Sequence, residues 1–490
     1  ESANRTGNNT KAHPLCDQLR YIAPFGGDKF IAYAAQLEQW SNSEFSHPKV
    51  PAVLAYIQGK TITSDLAAAG IITLDGQGNP GGGKIEGTEY GKCLVRWQII
   101  PAPDGIRSAC WEDTTLFERY AAFYASQCTS MSRDICFVSG REDTVCEMHP
   151  KGVIASNYGA KLASANDDKN FTYRGRFTEA NQAYCIGYTA SQMAHHALRW
   201  VASNQGVIFG GRTFLCWNPE GAEVPPLSFL GMPNEEPLDF VGYKRQLLQT
   251  LSGYRQALKD TSDVVIAAMD AATTGRLSVT YYNELKASDL LDRIEDWYRT
   301  LCWESYSGVR APTLKRIVDC AFGTQRNAFM EADEAILRDR VQLLLHCMID
   351  KQPLPVDIVQ ALVAKASTPL AYTAANREAL LTTTCAVVRK YRNDKSHKEE
   401  WTLALDTSNP NRSYLFGRLL AVMEQVERST YDREEKREPN AIRMQSVFAQ
   451  RPMYAWRLLD ERLDPYFRRL APPLRAYYRK LIGEIADMLP

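Results

Sequence analysis

Residues 288–301 carry the pattern that decides the fold, Ser-Asp-Leu-Leu-Asp-Arg-Ile-Glu-Asp-Trp-Tyr-Arg-Thr-Leu. Their apolar members recur at helical spacing and would form one stripe: Leu290, Leu291, Ile294, Trp297, Tyr298 and Leu301. A helix with such a stripe buries it against a neighbour. Six later segments have a similar texture: 332–349, 356–366, 374–392, 412–427, 440–458 and 462–488. The sequence therefore predicts a C-terminal α-helical bundle over residues 331–490.

Upstream of this helical part, the signals are mixed. Helical patterns occupy 29–40, part of 51–75, and 183–203, whereas strand-like runs occupy 93–100, 134–139 and 277–282. Gly210-Gly211 lies between two apolar runs in 206–217, which predicts a β-hairpin. Residues 76–92 and 151–178 are rich in small and polar residues and predict loops. We expect an α+β protein with an N-terminal mixed region (1–237), a connecting region (238–330) and the bundle.

Composition excludes several classes of protein. The chain has 490 residues, 45% of them hydrophobic, which is too apolar for a disordered protein. Lys plus Arg and Asp plus Glu both number 57, so bulk charge alone cannot hold the chain to nucleic acid or to a membrane surface. No run of 18 apolar residues occurs, so we expect no membrane span.

The twelve cysteines favour a reducing compartment. None of them forms a CxxC pair, which a structural zinc site usually needs. Most lie in apolar runs, such as Cys136 and Cys320, so buried free thiols are favoured over a disulfide framework. We therefore expect a cytoplasmic protein.

Catalytic motifs are not found. His195 and His196 are adjacent in a helical pattern and would point about 100° apart, so a structural or partner-facing role is favoured over a shared metal. Gly81-Gly82-Gly83-Lys84 resembles part of a P-loop, but Ile85 stands where a hydroxyl residue would bind magnesium. A loop whose Lys84 touches a backbone phosphate remains open beside a plain solvated loop. The sequence predicts a protein without catalytic activity, cofactor or metal.

The segment 147–166 is the best candidate for binding nucleic acid. It contains two Lys, two Ser and two Asn separated by small residues that let a backbone approach a phosphate. The candidate contacts are Lys151, Asn157, Lys161, Ser164 and Asn166. Arg174 and Arg176 follow, interleaved with aromatic residues suited to stacking on bases. The alternative is a surface loop with solvated charges.

Two more regions could contact a nucleic acid. The N-terminal stretch offers Arg5 and Lys11. Residues 373–490 carry 21 basic against 16 acidic side chains, and seven could form a basic ridge: Arg457, Arg462, Arg468, Arg469, Arg475, Arg479 and Lys480. Such a ridge could hold a single strand through counterion release, while a salt-bridged helix surface is the alternative.

Six colinear blocks resemble the large subunit of the type I-C CRISPR surveillance complex, Cascade. They span almost the whole chain: Arg5-Thr6-Gly7 with Leu15-Cys16-Asp17 and Tyr21-Ile22; Ile135–Gly140; Met148-His149-Pro150; Gly159–Asn166; Asp270 with Thr274–Val279; and Asn411–Glu424. They are similar to the family's RTSG, CLVTG, LHP, SGASLVSFN, NxGRISV and LGRLFAVLE blocks. The family normally has a further segment before its first block, and this sequence begins at that block, so we expect the contribution of that segment to be absent or to lie elsewhere. The basic stretch after Pro150 is shorter than in the family, and the SASATP block is blurred at 443–452.

The resemblance implies a division of labour. Guide RNA (crRNA) reads the target by base pairing, while the large subunit reads a short flanking motif (the PAM) in double-stranded DNA and helps to open it. It also implies partners: Cascade backbone subunits, the crRNA-processing subunit, small subunits and a recruited helicase–nuclease. Small subunits of such systems start inside the large-subunit gene, and Met348 is the candidate start, with Met330 second; a buried helix methionine is the alternative. A metal-dependent nuclease and a purely structural scaffold remain the rival functions.

Overall fold

The computed structural model describes residues 10–100, 108–128, 132–146, 148–163, 175–227, 237–305, 308–326, 329–395, 401–432 and 434–490. Helices dominate these ranges, short antiparallel sheets accompany them, and the C-terminal part is helical, which confirms the α+β class. Backbone contacts divide the chain into unit 1, residues 1–200 with 272–277, and unit 2, residues 201–271 with 278–490. The functional regions expected at 1–237, 238–330 and 331–490 stay predictions.

Unit 1 is built largely on helices. Their bounds are α1 (Leu19–Ile22), α2 (Asp28–Ser41), α3 (Lys49–Gly59), α4 (Ile62–Ala68), α5 (Thr114–Gln127), α6 (Ala180–Ala183) and α7 (Tyr188–Gln205), the last five residues of α7 being grouped with unit 2. The helices α2 and α3 pack together, and Tyr33, Leu37 and Trp40 of α2 are almost wholly buried in the core. The predicted helix at 29–40 is therefore confirmed.

Three small antiparallel pairs belong to unit 1. They are β1 (Asp17–Gln18) with β4 (Leu94–Val95), β2 (Lys84–Ile85) with β3 (Thr88–Glu89), and β5 (Arg133–Ile135) with β6 (Glu142–Thr144). The strands predicted at 93–100 and 134–139 are shorter than expected. Regular pairing of the first stops at Val95, beyond which only an isolated bridge joins Gln98 to Ala109. The second stops at Ile135 because a turn follows, in which Gly140 N–H donates to the Cys136 carbonyl.

Unit 2 has a four-stranded sheet in the order β10-β9-β8-β7. The strands are β7 (Val207–Phe209), β8 (Arg212–Trp217), β9 (Asp263–Thr273) and β10 (Arg276–Lys286), and the tip of the β9–β10 hairpin is grouped with unit 1. Gly210 and Gly211 both have positive φ between β7 and β8, which confirms the predicted tight hairpin. A Cβ on Gly210 would lie 2.0 Å from the Glu334 carbonyl oxygen, so only glycine fits there.

The helices of unit 2 fill the rest of the chain. They are α8 (Phe240–Ala257), α9 (Ala287–Thr300), α10 (Leu314–Phe322), α11 (Glu334–Ile349), α12 (Val356–Ala366), α13 (Ala374–Lys395), α14 (Arg412–Arg428), α15 (Asn440–Arg443), α16 (Gln445–Gln450), α17 (Pro452–Arg469) and α18 (Pro472–Asp487). Two hairpins interrupt them, β11 (Trp303–Ser305) with β12 (Gly308–Arg310) and β13 (Thr324–Arg326) with β14 (Phe329–Glu331). The stripe of α9 is buried in the larger core, as predicted.

Several helices begin at a residue whose side chain caps them. Asp113 caps α5, Asp239 caps α8 and Thr313 caps α10, each by accepting a hydrogen bond from a backbone N–H two or three residues later. The predicted helical segments 440–458 and 462–488 imply a break near residue 460. This break is wrong, because α17 runs unbroken through Pro465 and ends at Arg469. Pro472, at the first position of α18, starts the next helix instead.

Candidate nucleic-acid interface

The described part of the candidate segment, residues 148–163, is pinned by buried apolar side chains. Val153, Ile154 and Ala160 are all 1% exposed or less. Gly152 has a φ of +76°, and a Cβ there would lie 2.5 Å from the Tyr158 ring, so the turn needs glycine. The segment is therefore held in one shape, with its polar residues between buried anchors.

The backbone brings three cationic residues into register. Lys151 pairs with Lys161 in an antiparallel bridge, and Lys161 pairs with Arg276 in a parallel one. The Lys161 N–H donates to the Gly275 carbonyl at 3.0 Å, and the Leu277 N–H donates to the Lys161 carbonyl at 3.0 Å. Directly paired residues project to the same face of a ladder. We call Lys151, Lys161 and Arg276 the cation row.

The cation row lacks an internal counter-charge. Among the described residues, none of its three members forms an ion pair with an Asp or Glu, and Arg276 is exposed. Burial and the charge of Lys151 both lower the pKa of Lys161, which reflects a poorly compensated ammonium group. A bound phosphate would supply the missing negative charge.

Arg199 supports the row from helix α7. Its guanidinium donates to the carbonyls of Lys151 and Gly152, the second at 2.9 Å from Nε. This contact fixes the Lys151 backbone and places a fourth cation beside the row. The sequence argument missed both Arg199 and Arg276 as site residues. Arg199 lies inside helix α7, and Arg276 begins strand β10, more than a hundred residues away along the chain.

Two buried histidines lie next to the segment. His149 Nδ1 lies 2.8 Å from the Ser191 hydroxyl, and the rings of His149 and His195 stack with centroids 5.7 Å apart. Burial, His195 and Lys161 lower the pKa of His149 to about 4, so the ring is neutral near pH 7. The predicted structural role fits His195, whose Nδ1 contacts the Ser191 carbonyl at 2.7 Å. Its neighbour His196 is exposed.

The other predicted residues have different surroundings. Asn157 donates from Nδ2 to the Thr273 carbonyl at 3.3 Å, so it ties the segment to the hairpin tip that carries Arg276. Arg176 is exposed, with its guanidinium 5.4 Å from the Phe177 ring centroid. Lys11 is exposed beside helix α2. Arg5, Ser164, Asn166 and Arg174 lie outside the described residues.

The glycine-rich loop around Lys84 differs from a P-loop. Lys84 begins strand β2 and is exposed, whereas a P-loop lysine would begin a helix whose N-terminus faces the phosphate. The Tyr90 ring lies so close to Gly83 that a Cβ would approach it at 2.4 Å. The rejection of a nucleotide-binding P-loop agrees with this geometry, and Lys84 lies on a hairpin of its own.

The C-terminal basic ridge is partly neutralised. Asp464 lies 3.9 Å from Arg468 and 3.7 Å from Arg479, and Lys480 lies 3.6 Å from Glu484. Arg475 donates to the carbonyls of Arg468 and Leu470. Exposed ion pairs like these contribute little to stability. They do neutralise part of the positive charge, which favours the interpretation of this region as a salt-bridged helix surface over that of a basic ridge. The cation row is therefore the better candidate for a phosphate site.

The described residues give three further findings. No group of three or more His, Cys, Asp or Glu side chains in them is placed to hold a metal ion. None of the helices described has the length and low polarity needed to cross a bilayer. Nine of the twelve cysteines are buried thiols, as the sequence predicted.

Comparison with protein-family models identifies the family of the chain. The model of the family CRISPR-associated protein (Cas_Csd1) matches residues 1–490, the full length of the chain. No curated protein matches it.

Proposed function

Because the chain belongs to the CRISPR-associated Cas_Csd1 family, we propose that it is the non-catalytic large subunit of a type I-C Cascade. In this role it recognises the flanking motif in double-stranded DNA, helps to unwind the duplex, stabilises the R-loop and recruits a helicase–nuclease. Its partners are the guide RNA, the backbone subunits, the crRNA-processing subunit and the small subunits.

The observation that carries this proposal is the cation row. Lys151, Lys161 and Arg276 are aligned by backbone pairing, and the described residues give them no acidic partner. Adjacent cations on one face can contact neighbouring phosphates of one DNA strand, and each contact releases a condensed counterion. Such contacts fix the register of the protein on the duplex without reading sequence.

Sequence reading needs other groups. Amides and hydroxyls can contact base edges in a groove, and the candidates remain Asn157, Ser164 and Asn166. Asn157 already donates to the Thr273 carbonyl, so its first role is to hold the hairpin tip against the segment. We therefore assign base reading to Ser164 and Asn166 before Asn157.

The test uses the chain assembled with guide RNA and its partner subunits. Gel shifts compare a target duplex that carries the flanking motif with one in which only the motif is scrambled. We expect tighter binding to the first duplex, and Lys151→Ala with Lys161→Ala should weaken binding to both. Equal binding to the two duplexes, or full binding by the double variant, would reject the proposed role and favour a scaffold that contacts only protein.

The absence of catalysis is part of the proposal and has its own test. The purified chain is incubated with end-labelled single-stranded and duplex DNA in magnesium or in manganese. We expect the labelled strands to stay intact. Strand cleavage that tracks with the chain through purification would favour the metal-dependent nuclease instead.

A further inference from the structure

A second feature of unit 1, separate from the cation row, is an apolar cavity with aromatic walls. Its volume is about 300 Å³, at the lower end of the range for small-molecule sites. The ring-bearing lining residues are Trp40, Trp97, Trp111, Phe117 and Tyr120. Trp111 and Phe117 lie at the open side, 37% and 51% exposed. We call this cavity the aromatic slot.

Among the residues that the structure describes, Arg96 is the one charged residue that lines the aromatic slot. Its guanidinium carbon lies 3.9 Å from the centroid of the Trp111 ring, so the two planar groups are in contact at the entrance. No Asp or Glu among the described residues pairs with Arg96. A guanidinium held on an aromatic ring keeps its in-plane N–H donors available for an anion.

The occupant must therefore combine a flat apolar body with a negative charge beside it. We infer that the aromatic slot holds one unstacked nucleobase of a single-stranded nucleic acid and that Arg96 binds an adjacent phosphate. An apolar side chain of a partner protein would fill the same volume but would leave the Arg96 charge without a partner. The inference rests on the proposed function in one respect, that the ligand is nucleic acid.

Lys11 is a second cationic residue close along the chain to the slot. It lies three residues before Pro14, which lines the slot, and three residues span at most about 10 Å. Gln36 joins this stretch to the slot, since its Nε2 lies 3.4 Å from the Ala12 carbonyl and 3.3 Å from the Tyr120 hydroxyl. A nucleotide whose base enters the slot would thus have Arg96 beside it and Lys11 within about 10 Å of the lining residue Pro14.

The lining also sets the selectivity of the slot. It offers little polar surface, so stacking rather than hydrogen bonding would hold the base. Every base has an aromatic face, and we therefore expect binding to depend weakly on base identity. The slot would hold a strand in place without reading its sequence.

The test measures binding of the full chain to a short fluorescein-labelled oligothymidylate by fluorescence anisotropy. Trp111→Ala with Phe117→Ala should weaken binding by about fivefold or more, the loss expected for one stacked base. Trp111→Phe, with Phe117 left intact, should keep most of the wild-type affinity because it keeps an aromatic face. Phe329→Ala is the matched control, since Phe329 is an exposed aromatic residue of unit 2.

Abasic substitution gives an independent readout. Replacing every thymidine of the oligonucleotide by an abasic site leaves no base for the slot in any binding register, so the change should weaken binding to the wild-type chain more than binding to the slot variant. If the slot variant binds oligothymidylate like the wild type, or if the abasic oligonucleotide loses the same affinity for both chains, the inference is wrong. That result would leave the proposed function standing, because duplex binding by the Lys151 and Lys161 variants tests it separately.

Discussion

Lys151 and Lys161 are paired directly opposite one another in an antiparallel bridge, with their positive side chains on one face of the backbone. Like charges in this position destabilise a ladder. The described residues offer them no carboxylate, and the next residue along the pairing is Arg276. The repulsion between the two lysines is relieved if the phosphate backbone of a bound nucleic acid supplies the counter-charge.

The first prediction concerns the salt dependence of duplex binding. Lys151→Ala with Lys161→Ala removes two cations, so the slope of log affinity against log salt should become shallower by about 0.9 per lost phosphate contact. The measurement is a salt titration of the assembled complex with target duplex. Lys259→Ala, an exposed lysine of unit 2, is the control and should leave the slope unchanged. An unaltered slope in the double variant would remove the row from the interface.

The second prediction concerns stability. Lys151→Gln keeps the length and polarity of the side chain but removes one of two opposed charges, so the free chain should become more stable by about 0.2–1 kcal/mol. Urea unfolding at low ionic strength measures the difference, which high salt should shrink. A variant that is less stable than the wild type would show that the two ammonium groups do not repel each other.

The third prediction concerns a buried ion pair in the core of unit 1. Lys49 Nζ lies 2.6 Å from Asp113 Oδ2, and both side chains are almost fully buried. Lys49→Met would leave the buried Asp113 carboxylate without its cationic partner and should lower the free energy of unfolding by about 3–5 kcal/mol. Adding Asp113→Asn should recover part of the loss, because the amide oxygen can still accept from the Thr115 N–H that caps helix α5. Urea unfolding of the two variants checks this order.

The same pair has a pH signature. Burial raises the pKa of Asp113, but hydrogen bonds from Lys49 and Thr115, with the Lys49 charge, outweigh it and bring the pKa to about 2. The folded pKa is depressed, so the stabilisation is present above the ordinary value of 3.8 and is lost as the pH falls towards about 2. The stability gap between the wild type and the Lys49→Met, Asp113→Asn variant should therefore narrow over that window.

The fourth prediction concerns His149. Its pKa is lowered from 6.5 to about 4 by burial, His195 and Lys161, so the unfolded chain binds a proton more readily than the folded chain in this window. Stability should fall as the pH drops from 6.5 to about 4. His149→Gln should flatten that part of the profile. Equal profiles for the wild type and His149→Gln would contradict the assigned shift.

The fifth prediction concerns an internal start. Met348 is the last residue but one of α11, which packs on α9 and α10, whereas the next helix, α12, packs on α13 and α10. A product that starts at Met348 would thus keep the α12–α13 pair and all later helices. Met348→Leu should abolish a small C-terminally tagged product on immunoblots and leave the full chain folded, since the swap conserves volume. Met330→Leu is the control, and loss of the small product there instead would reassign the start.

The sequence by itself determined the α+β class, the stripe of helix α9 and the Gly210-Gly211 hairpin. These features depend on periods and turn residues that act within a few positions, so local patterns predict them. It also identified the segment that contains Lys151 and Lys161, because its basic and small residues are contiguous. The resemblance to the CRISPR-associated family likewise came from short sequence blocks that occur in order along the chain.

Only the tertiary structure decided which side chains act together. Arg276 joins Lys161 through a bridge between residues 161 and 276, and Arg199 reaches the Lys151 carbonyl from helix α7. The aromatic slot likewise combines Trp40, Trp97 and Trp111 from separate elements. Pairing between distant segments depends on the packing of whole units, and the spacing of residues along the chain carries no signal for it.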